Sequence, residues 1–339
     1  MRVSLLRPSR EETVRFLTSA SQPVVVIGSV NLDIVAAVPH LPVSGETVAG
    51  AALHRFYGGK GANQAVSVAR LDYPVRMIAK VGDDDAGELL RQGLRQAGVD
   101  VRGVTCAPQT PSGTALIFAD PAGQNSIVII AGANGQLLPV DLAKFEGLIN
   151  SAGIILLQLE VPLQTVIYVA EMGYRKNIPV MLDPAPARDL PPKLLLQLAW
   201  LTPNQLEAGF LCGHPGHAIA PAQIPQCAEE LLSRGPRHVL IKLGAHGAYL
   251  ATRDGLRQHI PAYKVRAVDS TAAGDAFNGA LAVGLLQGKS PVEAAMFASA
   301  VAALSVTRKG AQPSMPTAQE VSKFLKKAKV SGGPGLAAV

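Results

Sequence analysis

The chain has 339 residues, 48% hydrophobic and 17% charged, which is enough apolar surface to offset the entropy of ordering and to fill a core in one large domain or two. Its 33 Gly lack a three-residue period and its three Cys are scattered, so collagen and disulfide scaffolds are excluded and a reducing, cytoplasmic location is expected. The formal charge of +6 is diffuse except at Lys323, Lys326, Lys327 and Lys329; without interleaved aromatics that cluster reads as a solvated helix face, so no nucleic-acid partner is expected, while anionic small molecules remain compatible.

Residues 1–22 precede the first convincing strand and read as an N-terminal extension. Val24–Ile27 is a buried strand. Residues 34–56, with Pro39, Pro42 and Gly45, alternate too loosely for a helix. Val75–Val81 is a second strand, followed by GDDDAG and a helix through Ala97. Thr114–Ile130 reads as a hairpin, ALIFAD and SIVII around a PAGQN turn. Ile154–Leu159, Pro179–Leu182, Leu198–Thr202 and His238–Leu243 are apolar runs of strand length with helical patterns between them. Val265–Val268 is strand-like and leads into small residues, with a helix from about Gly274. Ala276–Gly288 and Ala294–Val306 are apolar but fall short of the roughly 18 residues that span a bilayer, so no membrane partner is expected. The tail from 329 to 339 reads as disordered.

This rhythm predicts an α/β fold: a doubly wound, mostly parallel, Rossmann-like sheet over residues 23–328. The segments at about 34–57 and 112–131 cannot join a parallel sheet easily and are expected to form a small β-sheet lid over a ligand.

The most informative segment is DSTAAGDAFNG, Asp269–Gly279. Small residues at a helix start leave amides exposed at the positive end of the dipole, which makes an anion site. A carboxylate at Asp275 would repel a phosphate unless it acts as a general base while the amides of Ala272, Ala273, Gly274 and Asp275 hold the developing charge. The same residue also reads as a simple helix cap.

AAGDAFNGAL resembles a signature of the ribokinase family of sugar and nucleoside kinases, the PfkB-type carbohydrate kinases. GGKGANQA at 58–65 resembles its other signature. The resemblance continues through GSVNLD (28–33), GET (45–47), GDDDAG (82–87), AGAN (131–134), LDPAPA (182–187), TPNQLE (202–207), KLGAHG (242–247) and TRKGAQPS (307–314), in the family's order over roughly residues 24–325.

The resemblance implies ATP-dependent phosphorylation of a sugar, D-ribose at its 5-hydroxyl above all, with Asp275 as base. It implies that Asn31, Asp33, Gly59, Lys60, Asn63 and Glu160 grip the sugar. Asn31 and Asp33 are expected in a loop at the sheet's carboxyl edge; both also read as turn residues. Asn204 and Glu207 are implied to hold Mg²⁺ and phosphate, though a capping box fits the spacing equally well. Lys242, Gly244 and Gly247 would border ATP, with Ser299 near the adenine and Lys242 adding charge at the triphosphate. A monovalent cation, K⁺ by preference, is implied at Asp269 and Thr271, joined by oxygens of Ser305, Arg308, Gly310 and Ser314; Arg308 can contribute only its carbonyl. A homodimer through the lid is expected by analogy.

Other patterns carry less. The three Asp of GDDDAG suit the start of a helix better than a metal. His214 and His217 lack a third ligand nearby, Gln287–Ser290 has the wrong spacing for a phosphate loop, and Gly59–Gln64 fails the dinucleotide fingerprint. Trp200 and the leucines of 194–198 read as core. Two rivals stay open: a kinase for another pentose, a hexose or a nucleoside, and a catalytically silent sugar-binding protein.

Overall fold

The computed structural model describes residues 22–330. Strand β1 (Val24–Ile27) is followed by β2 (Asn31–Ala37) and β3 (Ala52–Gly58), and helix α1 (Lys60–Arg70) leads to β4 (Val75–Gly82), α2 (Asp85–Gln96) and β5 (Asp100–Ala107). The hairpin β6 (Gly113–Ala119) and β7 (Asn125–Ile130) precedes two short helices, α3 (Pro139–Leu142) and α4 (Glu146–Asn150). The alternation resumes with β8 (Ile154–Leu157), α5 (Leu163–Arg175), β9 (Val180–Leu182), α6 (Pro192–Leu195), β10 (Trp200–Leu201), α7 (Gln205–Leu211), α8 (Ile224–Ser233) and β11 (His238–Lys242). An antiparallel pair, β12 (Ala248–Thr252) and β13 (Arg257–Ile260), comes before helices α9 (Ala273–Leu286), α10 (Pro291–Ser305) and α11 (Ala318–Val330).

Nine strands form one sheet in the order β13-β12-β11-β10-β9-β8-β1-β4-β5, parallel from β11 to β5. Every residue of β1 is buried because helices cover both faces. Val24 and Val26 face a core shared with α1, α9 and α10, whereas Val25 and Ile27 face one shared with α5, α7 and α8. Trp200 lies in the first core as expected and stacks on His238. The lid is a separate four-stranded sheet, β3-β2-β6-β7, in which β6 and β7 pair as the expected hairpin. The acidic run after β4 serves the helix: Asp84 caps α2, accepting from the Gly87 amide at 2.8 Å.

Several expectations are corrected. Val265–Val268 is not a strand; the large sheet ends at β13, and the Val268 and Asp269 amides donate instead to one carbonyl at the end of α10, Val306 O. Asn31 and Asp33 sit on β2 rather than in a loop, which brings the lid to the edge of the main sheet. Strands β5, β12 and β13, at the two ends of the sheet order, were not expected from the sequence, and the runs at 154–159 and 198–202 form shorter strands. Cys212 and Cys227 are joined in a disulfide instead of lying apart as free thiols, because α7 and α8 pack their ends together. The expected extension at 1–22 and tail at 329–339 fall almost wholly outside the described residues, although α11 continues to Val330. Among the described residues, no helix is long and apolar enough to cross a membrane.

Candidate active site

The parallel strands deliver chemistry at their carboxyl ends, where an α/β sheet opens into a crevice. Ser29 and Asn31 follow β1, Gln158 and Glu160 follow β8, Asp183 follows β9, Asn204 follows β10, and Lys242 closes β11. Helices α1 and α9 start at the same edge. A cavity of about 300 Å³ opens there, lined by Asn31, Asn134, Glu160, Pro186 and Ile129 of the lid.

The turn from β3 into α1 depends on two glycines. Gly59 has φ +88°, and a Cβ there would meet the Ser29 carbonyl at 2.9 Å. A Cβ on Gly58 would overlap the Asp33 carboxylate. Glu160 then ties the segments together, accepting from the Lys60 amide at 3.0 Å and from the Ser29 hydroxyl. Asn31 is oriented by Asn134, whose Nδ2 donates to Asn31 Oδ1 at 2.7 Å and whose Oδ1 accepts from Val30 N. Burial, and then the charges of Glu160 and Asp275, raise the Asp33 carboxyl from 3.8 to about 7. Asp33 Oδ1 and Asn63 Oδ1 are buried without a hydrogen-bond partner, as groups held for a polar ligand would be. Burial alone would lower the Lys60 ammonium, but the carboxylates of Asp275, Asp183, Glu160 and Glu207 outweigh it and raise its pKa.

Asp275 is not a helix cap. The α9 N-cap is Ala272, and the Asp275 oxygens turn away to accept from Asn63 Nδ2 at 3.0 Å and Gln64 Nε2 at 3.1 Å. Burial raises its carboxyl to about 6; Lys60, Asn63 and Gln64 pull downward and Asp183 pushes up. Ala272 adopts the left-handed conformation at φ +58°. The Ala273 amide bonds back to the Ser270 carbonyl at 3.2 Å, so it is not free as expected, whereas the Gly274 and Asp275 amides make no hydrogen bond among the described residues. Lys242 Nζ would lie 3.3 Å from a Cβ on Gly274, which puts the ammonium over the first turn of α9. It is also bonded to Asp183 Oδ1 at 2.9 Å, a partner that sequence reading did not supply.

Asn204 and Glu207 form the capping box of α7, with Glu207 N donating to Asn204 Oδ1 at 2.9 Å and Asn204 N to Glu207 Oε2 at 2.7 Å. Burial raises the Glu207 carboxyl, opposed by Lys242. Gly244 and Gly247 hold φ +57° and +88° in the turn between β11 and β12. Ser299 is buried, with its hydroxyl donating to the Pro261 carbonyl at 3.1 Å.

Asp269 organises the loop before α9. Its Oδ1 accepts from Thr271 N and Oγ1, and its Oδ2 accepts from Gly310 N at 2.8 Å. Ser305 and Ser314 donate their hydroxyls to Ala302 and Ala311 carbonyls. The Arg308 side chain is engaged by Glu320 at 2.6 Å, leaving only its carbonyl for any cation. Asn134, Gln64, Asp183 and Gln158 went unassigned in the sequence, although the first three lie inside the quoted motifs.

Comparison with known proteins gives a consistent result. The family model for pfkB family carbohydrate kinases matches residues 21–318. A ribokinase of Haemophilus influenzae is 40% identical over 304 residues, covering 89% of this chain and 98% of the relative. A deoxyribokinase of Salmonella typhi is 38% identical with the same coverage. The structure of Arabidopsis thaliana ribokinase complexed with ribose and ATP superposes with a TM-score of 0.83 at 36% identity, covering 90% of this chain and 99% of that one.

Proposed function

The chain belongs to the pfkB family of carbohydrate kinases, and we propose that it is an ATP-dependent ribose kinase that transfers the γ-phosphoryl group to the 5-hydroxyl of D-ribose. The observation that carries this reading is the placement of Asp275: a buried carboxylate with a raised pKa, hydrogen-bonded to Asn63 and Gln64, at a helix start where two amides make no hydrogen bond among the described residues and a lysine ammonium lies over the first turn. Asn31, Asp33, Gly59, Lys60, Asn63 and Glu160 hold the sugar. Asp275 takes the hydroxyl proton as the alcohol oxygen forms its bond to phosphorus, and the bond from phosphorus to the departing ADP oxygen breaks with its electron pair on ADP. The Gly274 and Asp275 amides and Lys242 face the charge on the equatorial oxygens, and the rest is positioning.

Mg²⁺ fits the donor set beside Lys242. Glu207 and Asp183 are hard oxygen ligands whose charges reach one another, and a hydrated Mg²⁺ needs few protein carboxylates. Asn204 and Glu207 would hold it with the phosphates, and when bound it neutralises and orients the triphosphate. A monovalent cation fits the oxygen-rich loop tied together by Asp269 and Gly310, with Thr271, Ser305, Arg308 and Ser314 around it. Gly244 and Gly247 border the nucleotide, and Ser299 stands near its base. ATP and a free sugar as substrates suit a cytoplasmic location.

A homodimer through the lid is supported by β7, an edge strand that exposes Ile127, Val128, Ile129 and Ile130. The deoxyribokinase similarity favours 2-deoxyribose as the second substrate to test. A coupled ADP-release assay with ribose, 2-deoxyribose, fructose and inosine, with and without K⁺, tests the reading. Ribose is expected to give the highest kcat/KM, with activation by K⁺. Ribose binding without ADP release would turn the reading to a silent sugar-binding protein.

A further inference from the structure

Behind the base lies a chain of buried polar side chains, of which Gln64 and Gln158 have no part in the reaction as described. Gln64 is 1% exposed, Gln158 0%, Asp183 3% and Asp275 4%. Helix α1 is buried from Gly61 to Val68, which holds Gln64 rigidly against the end of the sheet. The Gln64 amide nitrogen donates to Asp275 Oδ1 at 3.1 Å and to Asp183 Oδ2 at 3.2 Å, so both of its hydrogens are used. Its oxygen accepts from Gln158 Nε2 at 2.7 Å. That last bond decides which way round the amide sits; turned over, it would aim oxygen at two carboxylates. The second oxygen of Asp183 takes the Lys242 ammonium at 2.9 Å.

We propose that Gln64 is a positioning residue for phosphoryl transfer: it clamps the Asp275 carboxylate and, through Asp183, sets its distance from the lysine that faces the transferred group. The inference rests on Asp275 being the base. A carboxylate rotates easily about its last torsion, and in-line transfer tolerates little misplacement. Asn63 restrains only the other oxygen, and it is committed to the sugar. Gln64 fixes the base from a side the substrate does not need, and Gln158 fixes Gln64.

A double-mutant cycle on the full chain tests this, with Gln64→Met and Asp275→Asn alone and together. Gln64→Met is expected to leave the ribose Kd within about threefold and the KM for ATP little changed, and to lower kcat about 30-fold. In the Asp275→Asn background the same change is expected to cost less than about threefold, because no base remains to be held. An equal loss in both backgrounds, or an unchanged kcat in the wild-type background, overturns the proposal. Should Gln64→Met not fold, Gln158→Met carries the test, since it leaves Gln64 in place but free to turn; about a tenfold loss of kcat confined to the background with Asp275 is expected, and any other pattern overturns the proposal. If Asp275→Asn alone keeps near-normal turnover, the base assignment fails, and the cycle reports that separately.

Discussion

At about pH 8 the Asp33 carboxylate is ionised in surroundings that favour its neutral form. Burial, followed by the charges of Glu160 and Asp275, raises its pKa from 3.8 to about 7. The unfolded chain keeps the ordinary value, so the folded protein binds this proton more tightly. Stability from the group is therefore full below about pH 4 and is lost as the pH rises through about 7. Roughly three units at about 1.4 kcal/mol each give a ceiling of about 4 kcal/mol. Asp33→Asn keeps the shape and removes the charge, at the cost of burying an amide instead. The ligand-free variant is expected to gain about 1–3 kcal/mol over wild type at about pH 8 and nothing near pH 4, where both are neutral. Ribose binding should move the other way, weakening about 10- to 100-fold with the loss of a charged hydrogen-bond acceptor. Urea unfolding at the two pH values, with calorimetric titration of ribose, measures both effects. A stability difference that is the same at both pH values, or a loss near pH 8, refutes the reasoning.

In the proposed mechanism Asp33 and Asp275 are both ionised to bind and activate the sugar, and burial raises their carboxyls to about 7 and about 6, close together. The logarithm of kcat/KM for ribose is therefore expected to fall with a slope approaching about 2 below pH 6, and with a slope of about 1 in Asp33→Asn. Ala272 holds a left-handed conformation that costs an alanine about 1 kcal/mol, so Ala272→Gly should raise the melting temperature by about 1–2 °C in differential scanning calorimetry. Wild type is expected to sediment as a dimer, and Ile127→Lys on the exposed edge strand β7 as a monomer, in sedimentation velocity.

The parallel core was legible because strands buried on both faces read as unbroken apolar runs, as in Val24–Ile27. Strands at the margin were not. Arg257–Ile260 is polar and exposed at three of its four positions, so nothing in its composition marks it. Val265–Val268 has the composition of a strand, but a strand also needs a neighbour to pair with. Asp275 stood out in the sequence as an acid among small residues at a helix start, and the helix-cap alternative fell only when the structure gave that place to Ala272. The residues that orient it did not stand out. Gln64 meets Asp183 across 119 positions and Gln158 across 94, and an amide side chain in a helix gives no local sign of partners so distant in sequence. Cys212 and Cys227 meet for the same kind of reason, through the packing of α7 on α8.

The central claim is that Asp275 removes the proton from the sugar hydroxyl, and turnover of Asp275→Asn beside its ribose affinity tests that most directly. The variant is expected to fold, to bind ribose within a few-fold of wild type, and to lose about 10³-fold or more in kcat. A kcat within about tenfold of wild type would contradict it.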